Sequence, residues 1–162
     1  MRAVQRDDEG GALMTEVEVT VPVPIEQAFA ALADGWLYAS WVVGASHIRV
    51  VDRNWPAVGT RIHHSVGLWP LTMQDVTKVT AVDPPHLLEL DAHLWVIGAA
   101  WIRFELDEPQ PRVTRIRMFE RASRGPGAFI PGFAQDLVFT PRNQESLDRL
   151  AHLIIGRSDG KS

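Results

Sequence analysis

VTKVTAVDPPHLLEL, residues 76–90, is the stretch that decides the fold. Its first residues alternate in character from Val76 to Val82, the period of a half-buried strand. Asp83-Pro84-Pro85 stops the run, since proline cannot donate to a strand ladder and favours a turn. A second apolar run begins at His86. The reading is two antiparallel strands and a tight connection.

Working outward, the same period governs most of the chain. Thr15 to Val21 (TEVEVTV) places Val17, Val19 and Val21 on one face of a first strand. Pro22 and Pro24 end it, and Pro24 suits the first turn of a helix over 24–33, where Ile25, Ala28, Phe29 and Leu32 share a face. Trp36 to Trp41 reads as a second short helix. Strands are predicted over His47–Asp52, Thr60–Val66, Leu71–Val82, His86–Trp95, Ala99–Leu106 and Arg112–Glu120, with turns at the short spacing of a meander. Gly125 to Gly132 is a predicted loop. Leu147, Leu150, Ala151 and Ile154 then recur on one helical face, and Glu145 with Arg149 forms an i,i+4 pair opposite. Thr140-Pro141 predicts a start or a kink for this last helix, with an earlier turn or two over 133–139, and Gly156 predicts its end. One sheet and one long amphipathic helix bury both apolar faces only if the sheet wraps the helix. The fold class is therefore α+β, with seven antiparallel strands and two short helices between the first and second.

With 162 residues the chain suits one domain, expected over 14–157, between disordered tails at 1–13 and 158–162. Met14 stands where order should begin and is a second candidate start. A net charge of −4 argues against a nucleic-acid partner. The absence of cysteine excludes disulfides, thiolate metal sites and a cysteine nucleophile. No apolar run approaches the ~20 residues of a membrane span, and residues 1–13 lack the apolar core of a signal peptide. A cytoplasmic protein is the expectation.

Four stretches carry a resemblance. They are VEVTVPVPIEQAFAALAD, WLYASWVVGASHIRV, the opening hairpin, and RNQESLDRLAHLI. Together they span roughly Thr15 to Arg157, and in this order they resemble the START-like (SRPBCC, Bet v 1-like) helix-grip superfamily, in its polyketide cyclase/dehydrase-like branch. The resemblance implies a curved sheet gripping the C-terminal helix around an apolar cavity. It implies function less firmly, since members bind lipids, sterols, polyketides or hormones, some catalyse cyclisation or dehydration, and some bind proteins.

Alternation also assigns faces. Thr77, Val79 and Ala81 turn inward on the long strand, as do Leu88, Leu90, Ala92 and Leu94 on the next, then Ala100, Ile102, Phe104 and Leu106, then Thr114, Ile116 and Met118. Three ionisable residues interrupt these apolar lists: His64, Asp75 and Glu120. A buried charge needs a partner or a shifted pKa, so all three are candidate catalytic residues. Asp75 and Glu120 lie near strand ends and can equally reach water at a cavity mouth, and His64 can be a core histidine bonded to backbone. His63 and His64 point to opposite faces of a regular strand and cannot share a metal ion, and no other ligand spacing is present. The candidate ligand-binding residues are Trp41, Trp69, Met73, Leu90, Phe104, Met118, Phe133 and Leu147. Trp41 and Trp69 suit stacking on a flat ligand, or ordinary packing. Trp95, Trp101 and Phe119 fall on the outward register, where an exposed aromatic group marks a homodimer face or a seat for the N-terminal tail.

Three functions are compatible with these residues. The first is a module that binds a hydrophobic or amphipathic small molecule, lipid-like or polyketide-like, without a cofactor or metal. The second is a cofactor-independent cyclase or dehydratase in which His64 acts as base, and Asp75 or Glu120 orients it or serves as acid. The third is a protein-interaction module.

Overall fold

The computed structural model describes residues 14–66, 73–94, 98–129 and 131–159. The opening hairpin forms as β4 (Met73–Asp83) and β5 (Leu87–Leu94), with Asp83 opposite Leu87. The other strands are β1 (Thr15–Val21), β2 (Ala45–Val51), β3 (Arg61–Val66), β6 (Gly98–Gln110) and β7 (Val113–Arg124). All pair antiparallel in the order β1-β7-β6-β5-β4-β3-β2. Two short helices, α1 (Ile25–Leu32) and α2 (Tyr38–Trp41), lie between β1 and β2, and a 3-10 turn at Gly35–Leu37 joins them. The long helix α3 (Gly132–Asp159) closes the chain and packs across β1 and β7. The structure is thus the α+β helix grip: a seven-stranded antiparallel sheet with one long C-terminal helix.

The predicted faces hold over most of the sheet. Leu88, Leu90, Ala100, Phe104 and Ile116 are buried, as are Leu147, Leu150 and Ile154 on the facing side of α3. Each large aliphatic or aromatic side chain so buried contributes about 1.5–3 kcal/mol. One assignment is corrected. A register shift lies between Val79 and Ala81. Ala81 pairs with outward Glu89, while Val82 pairs with buried Leu88 and packs on the core. The extra residue of a bulge inverts the faces beyond it, so Val82 takes the inward place expected of Ala81.

Other element boundaries also differ from those expected. β6 and β7 run past Leu106 and Glu120, to Gln110 and Arg124. Pro109 is tolerated there because the register shifts between Asp107 and Gln110, which relieves it of a ladder bond. α3 passes through Pro141, whose side is exposed, and starts at Gly132. It also continues past Gly156 to Asp159; Gly156 faces open space and is an ordinary helical residue. Gly98, by contrast, is required. Its φ is +117°, and a Cβ there would sit 1.8 Å from the Arg124 carbonyl oxygen, so only glycine lets β6 start against the end of β7.

The outward aromatic group is not an exposed patch among the described residues. Phe119 is only 5% exposed, under the Arg117 guanidinium, and half-buried Trp101 carries the Arg121 guanidinium 5.0 Å from its ring. Trp95 lies outside the described residues. Among the described helices none is long and apolar enough to cross a membrane.

Candidate functional site

A cavity of about 320 Å³ lies between the sheet and α3. Two small side chains, Thr77 and Ala92, line it from the sheet and belong to a row of small residues whose other members, Ala100 and Ala122, are not among the described lining residues. Thr77, Ala92, Ala100 and Ala122 are successive cross-strand partners on β4, β5, β6 and β7. Directly paired residues share a face, and at Thr77 and Ala92 the short side chains leave room that larger ones would fill. The next row, Val79, Leu90, Ile102 and Glu120, restores bulk. Leu90, Ile102, Phe104 and Met118 form apolar walls with Tyr38 and Trp41 of α2. Val138, Phe139, Arg142 and Ser146 of α3 cover the hollow, and residues 42–45 form its rim. Ser146 ties rim to helix: its hydroxyl donates to the Arg142 carbonyl (2.9 Å) and accepts from the Val43 N–H (3.0 Å).

The candidate catalytic residues are all buried, which removes the wet strand-end reading of Asp75 and Glu120. Among the described residues no direct hydrogen bond joins the three to one another. His64 lines the cavity, and its Nε2 is 3.0 Å from the Thr77 hydroxyl. Thr77 in turn is 3.2 Å from the Tyr38 hydroxyl, and the Tyr38 and His64 rings lie 5.3 Å apart. Asp75 stands opposite His64 in the β3–β4 register, but its Oδ1 accepts from the Val76 N–H at 2.8 Å, and Asp75 is not among the described lining residues. Glu120 is 0% exposed and lines the cavity from the far side. Both of its carboxylate oxygens accept from Nη2 of Arg142. Arg142 also donates to Asn143 Oδ1 and lies 5.3 Å over the Phe139 ring. The Glu120–Arg142 pair therefore cancels its own charge and links β7 to α3. Among the described residues no three histidine, aspartate or glutamate side chains are arranged to hold a metal ion.

Of the candidate ligand-binding residues, Trp41, Leu90, Phe104 and Met118 line the cavity. Met73 and Leu147 are not among the described lining residues; Leu147 is instead fully buried in the core. Trp69 and the Phe133 side chain lie outside the described residues. Sequence reasoning missed Tyr38 and Arg142. Tyr38 is the chain's only tyrosine and Arg142 opens the RNQES stretch, so both were visible as residues but not as cavity walls.

Burial sets the protonation of the polar wall. It pushes Tyr38 up to about 12, against a smaller opposing effect of the Thr77 hydrogen bond. His64 is lowered from the usual histidine value, first by burial and then by the charges of Arg49 and His63, with partial relief from the Ser65 backbone. Both side chains are thus neutral at physiological pH. The Tyr38 shift has a measurable consequence. Between the ordinary tyrosine value near 10 and about 12, the unfolded chain loses a proton that the folded chain keeps. Stability is fully present below the lower value and falls as pH rises toward the upper one, by about 3 kcal/mol at most. Alkaline titration of phenolate absorbance should show one group with a midpoint near 12 in the folded protein. A midpoint at the ordinary value would mean that the hydroxyl is not buried.

The polyketide cyclase / dehydrase and lipid transport family matches residues 13–154. No curated protein matches. Solved structures of the same fold include Ara h 8.0201, with 19% identity, a TM-score of 0.67 and coverage of 90% of this chain and 99% of that one. A protein from Rhodobacter sphaeroides has 20% identity and a TM-score of 0.69, covering 94% of this chain and 99% of that one. The Zhui aromatase/cyclase from Streptomyces sp. R1128 has 12% identity and a TM-score of 0.67, with 90% and 94% covered. At these identities the structural likeness establishes the fold alone. The family match spans most of the chain, and the chain therefore belongs to the polyketide cyclase / dehydrase and lipid transport family.

Proposed function

We propose that this protein binds a hydrophobic or amphipathic small molecule in the cavity between sheet and α3. One observation carries the reading: the cavity walls are largely apolar, and the buried ionisable groups among them are engaged with neighbouring side chains, while the lining His93 is exposed. Glu120 is neutralised by Arg142, and His64 is bonded through Thr77 to Tyr38. Such a cavity desolvates and orients an apolar body with few polar contacts. The matched family and the fold of the aromatase/cyclase support the same reading. Native mass spectrometry of the purified protein, with organic extraction, tests it. A co-purified apolar molecule near one-to-one stoichiometry is the expected result. A bare mass that stays bare after incubation with lipids and ring compounds counts against it.

A cyclase or dehydratase remains the second reading, favoured by a neutral His64 at the cavity wall with a hydroxyl relay beside it. A dyad of His64 with Glu120 or Asp75 lacks support, because His64 Nε2 goes to Thr77 and Nδ1 makes no side-chain hydrogen bond. General acid–base chemistry here would run through Tyr38 instead.

A further inference from the structure

The three polar groups on one wall form a chain with a direction. Tyr38 bonds Thr77, and Thr77 bonds His64. A hydroxyl has one hydrogen and two lone pairs, and a neutral imidazole has one donor and one acceptor nitrogen. With the His64 proton on Nδ1, Nε2 accepts from Thr77, and Thr77 accepts from Tyr38. The phenol then has only a lone pair left to offer. With the proton on Nε2, His64 donates to Thr77 and Thr77 donates to Tyr38. The phenol hydrogen is then free.

We propose that Tyr38 is the polar anchor for a ligand in this cavity, and that the His64 tautomer sets its hydroxyl to accept from a phenol or to donate to a ketone. The inference rests on the cavity-binding reading above and gives it a ligand class: a neutral two-ring compound with one oxygen at its edge. Size argues for two rings. A cavity of about 150 Å³ admits benzene, and this one is about 320 Å³. Aromatic walls argue for a flat ring system: Trp41 and Phe104 meet edge to face at 5.8 Å and both line the space. Charge argues for a neutral ligand, since the Glu120 carboxylate occupies the Arg142 guanidinium that would otherwise attract an anion. Burial supports the switch, because it keeps the phenol protonated and the imidazole neutral, and only a neutral imidazole has two tautomers.

The test uses three compounds on one frame: ethylnaphthalene, naphthol and acetylnaphthalene. Calorimetric titration of the wild type and Tyr38→Phe gives each compound its own ratio, so differences in their hydrophobicity cancel. The variant should weaken naphthol and acetylnaphthalene about 5- to 10-fold, the loss of one hydrogen bond, and leave ethylnaphthalene within about 2-fold. Nitrogen-15 NMR of the unmutated protein tests the switch without any variant in the complex, with His64 assigned by comparison with His64→Gln. Nε2 should be pyridine-like in the naphthol complex and pyrrole-like in the acetylnaphthalene complex. Equal weakening of all three compounds, or of none, overturns the anchor while the cavity reading stands. One tautomer in both complexes overturns the switch. If none of the three binds, the two-ring ligand class and the anchor fall together, while the cavity reading is decided separately by the native mass spectrometry with lipids.

Discussion

Arg142→Met should destabilise the protein by about 3–5 kcal/mol, read as a shift in the urea or thermal midpoint. The reason lies on the other element. Glu120 is 0% exposed on β7, and Nη2 of Arg142 serves both of its carboxylate oxygens. Removing the guanidinium leaves a carboxylate in an apolar wall with no counter-charge. Part of the effect is softened because the Arg142 side chain is 25% exposed, so the lower end of the range is expected. The double variant Glu120→Leu with Arg142→Met separates charge from packing. Replacing both members of a buried pair is far cheaper than removing one, so the double variant should recover most of the loss. Equal losses in the single and double variants would show that the helix packing around Phe139, not the ion pair, is what Arg142 supports.

Much of this architecture was legible because it rests on period. Strands that alternate strictly, such as Ile102, Phe104 and Leu106 against Trp101, Arg103 and Glu105, announce both their existence and their faces. The helix face of Leu147, Leu150, Ala151 and Ile154 is equally explicit. What was not legible follows from features that break a period without marking the sequence. The bulge near Thr80 needs no glycine or proline, so it exchanges Ala81 for Val82 silently. Pro109 and Pro141 look like terminators, yet one sits at a register shift and the other on an exposed helix side. The candidate site was legible in part for the same reason. Alternation turned His64, Asp75 and Glu120 inward, but it says nothing of which inward residues meet. Glu120 finds its partner on α3, 22 positions later in the chain, and His64 finds Tyr38 through Thr77 from a different element. Such pairings come from how layers pack, and no local spacing encodes them.

Ala92→Trp should reduce binding of a two-ring ligand by on the order of 100-fold while the protein stays folded. Ala92 lies in the row of small side chains beside the cavity, between Thr77 on β4 and Ala100 on β6. Its methyl lines the hollow. An indole projected from this position enters space that is empty of protein atoms, so it competes with a ligand before it strains the core. Inserting a large side chain into a well-packed core costs about 1–3 kcal/mol, and a pre-existing cavity should bring the cost to the low end or below. The two effects separate cleanly: calorimetric titration reads the ligand, and thermal unfolding reads the core. Ala28→Trp serves as the contrast, since Ala28 is fully buried on α1 and is not among the described lining residues of either pocket. That variant should lose stability by overpacking and bind ligand normally once folded. If Ala92→Trp binds as tightly as the wild type, the ligand does not occupy the hollow over the sheet. The row Thr77, Ala92, Ala100 and Ala122 would then be a packing feature with no bearing on function.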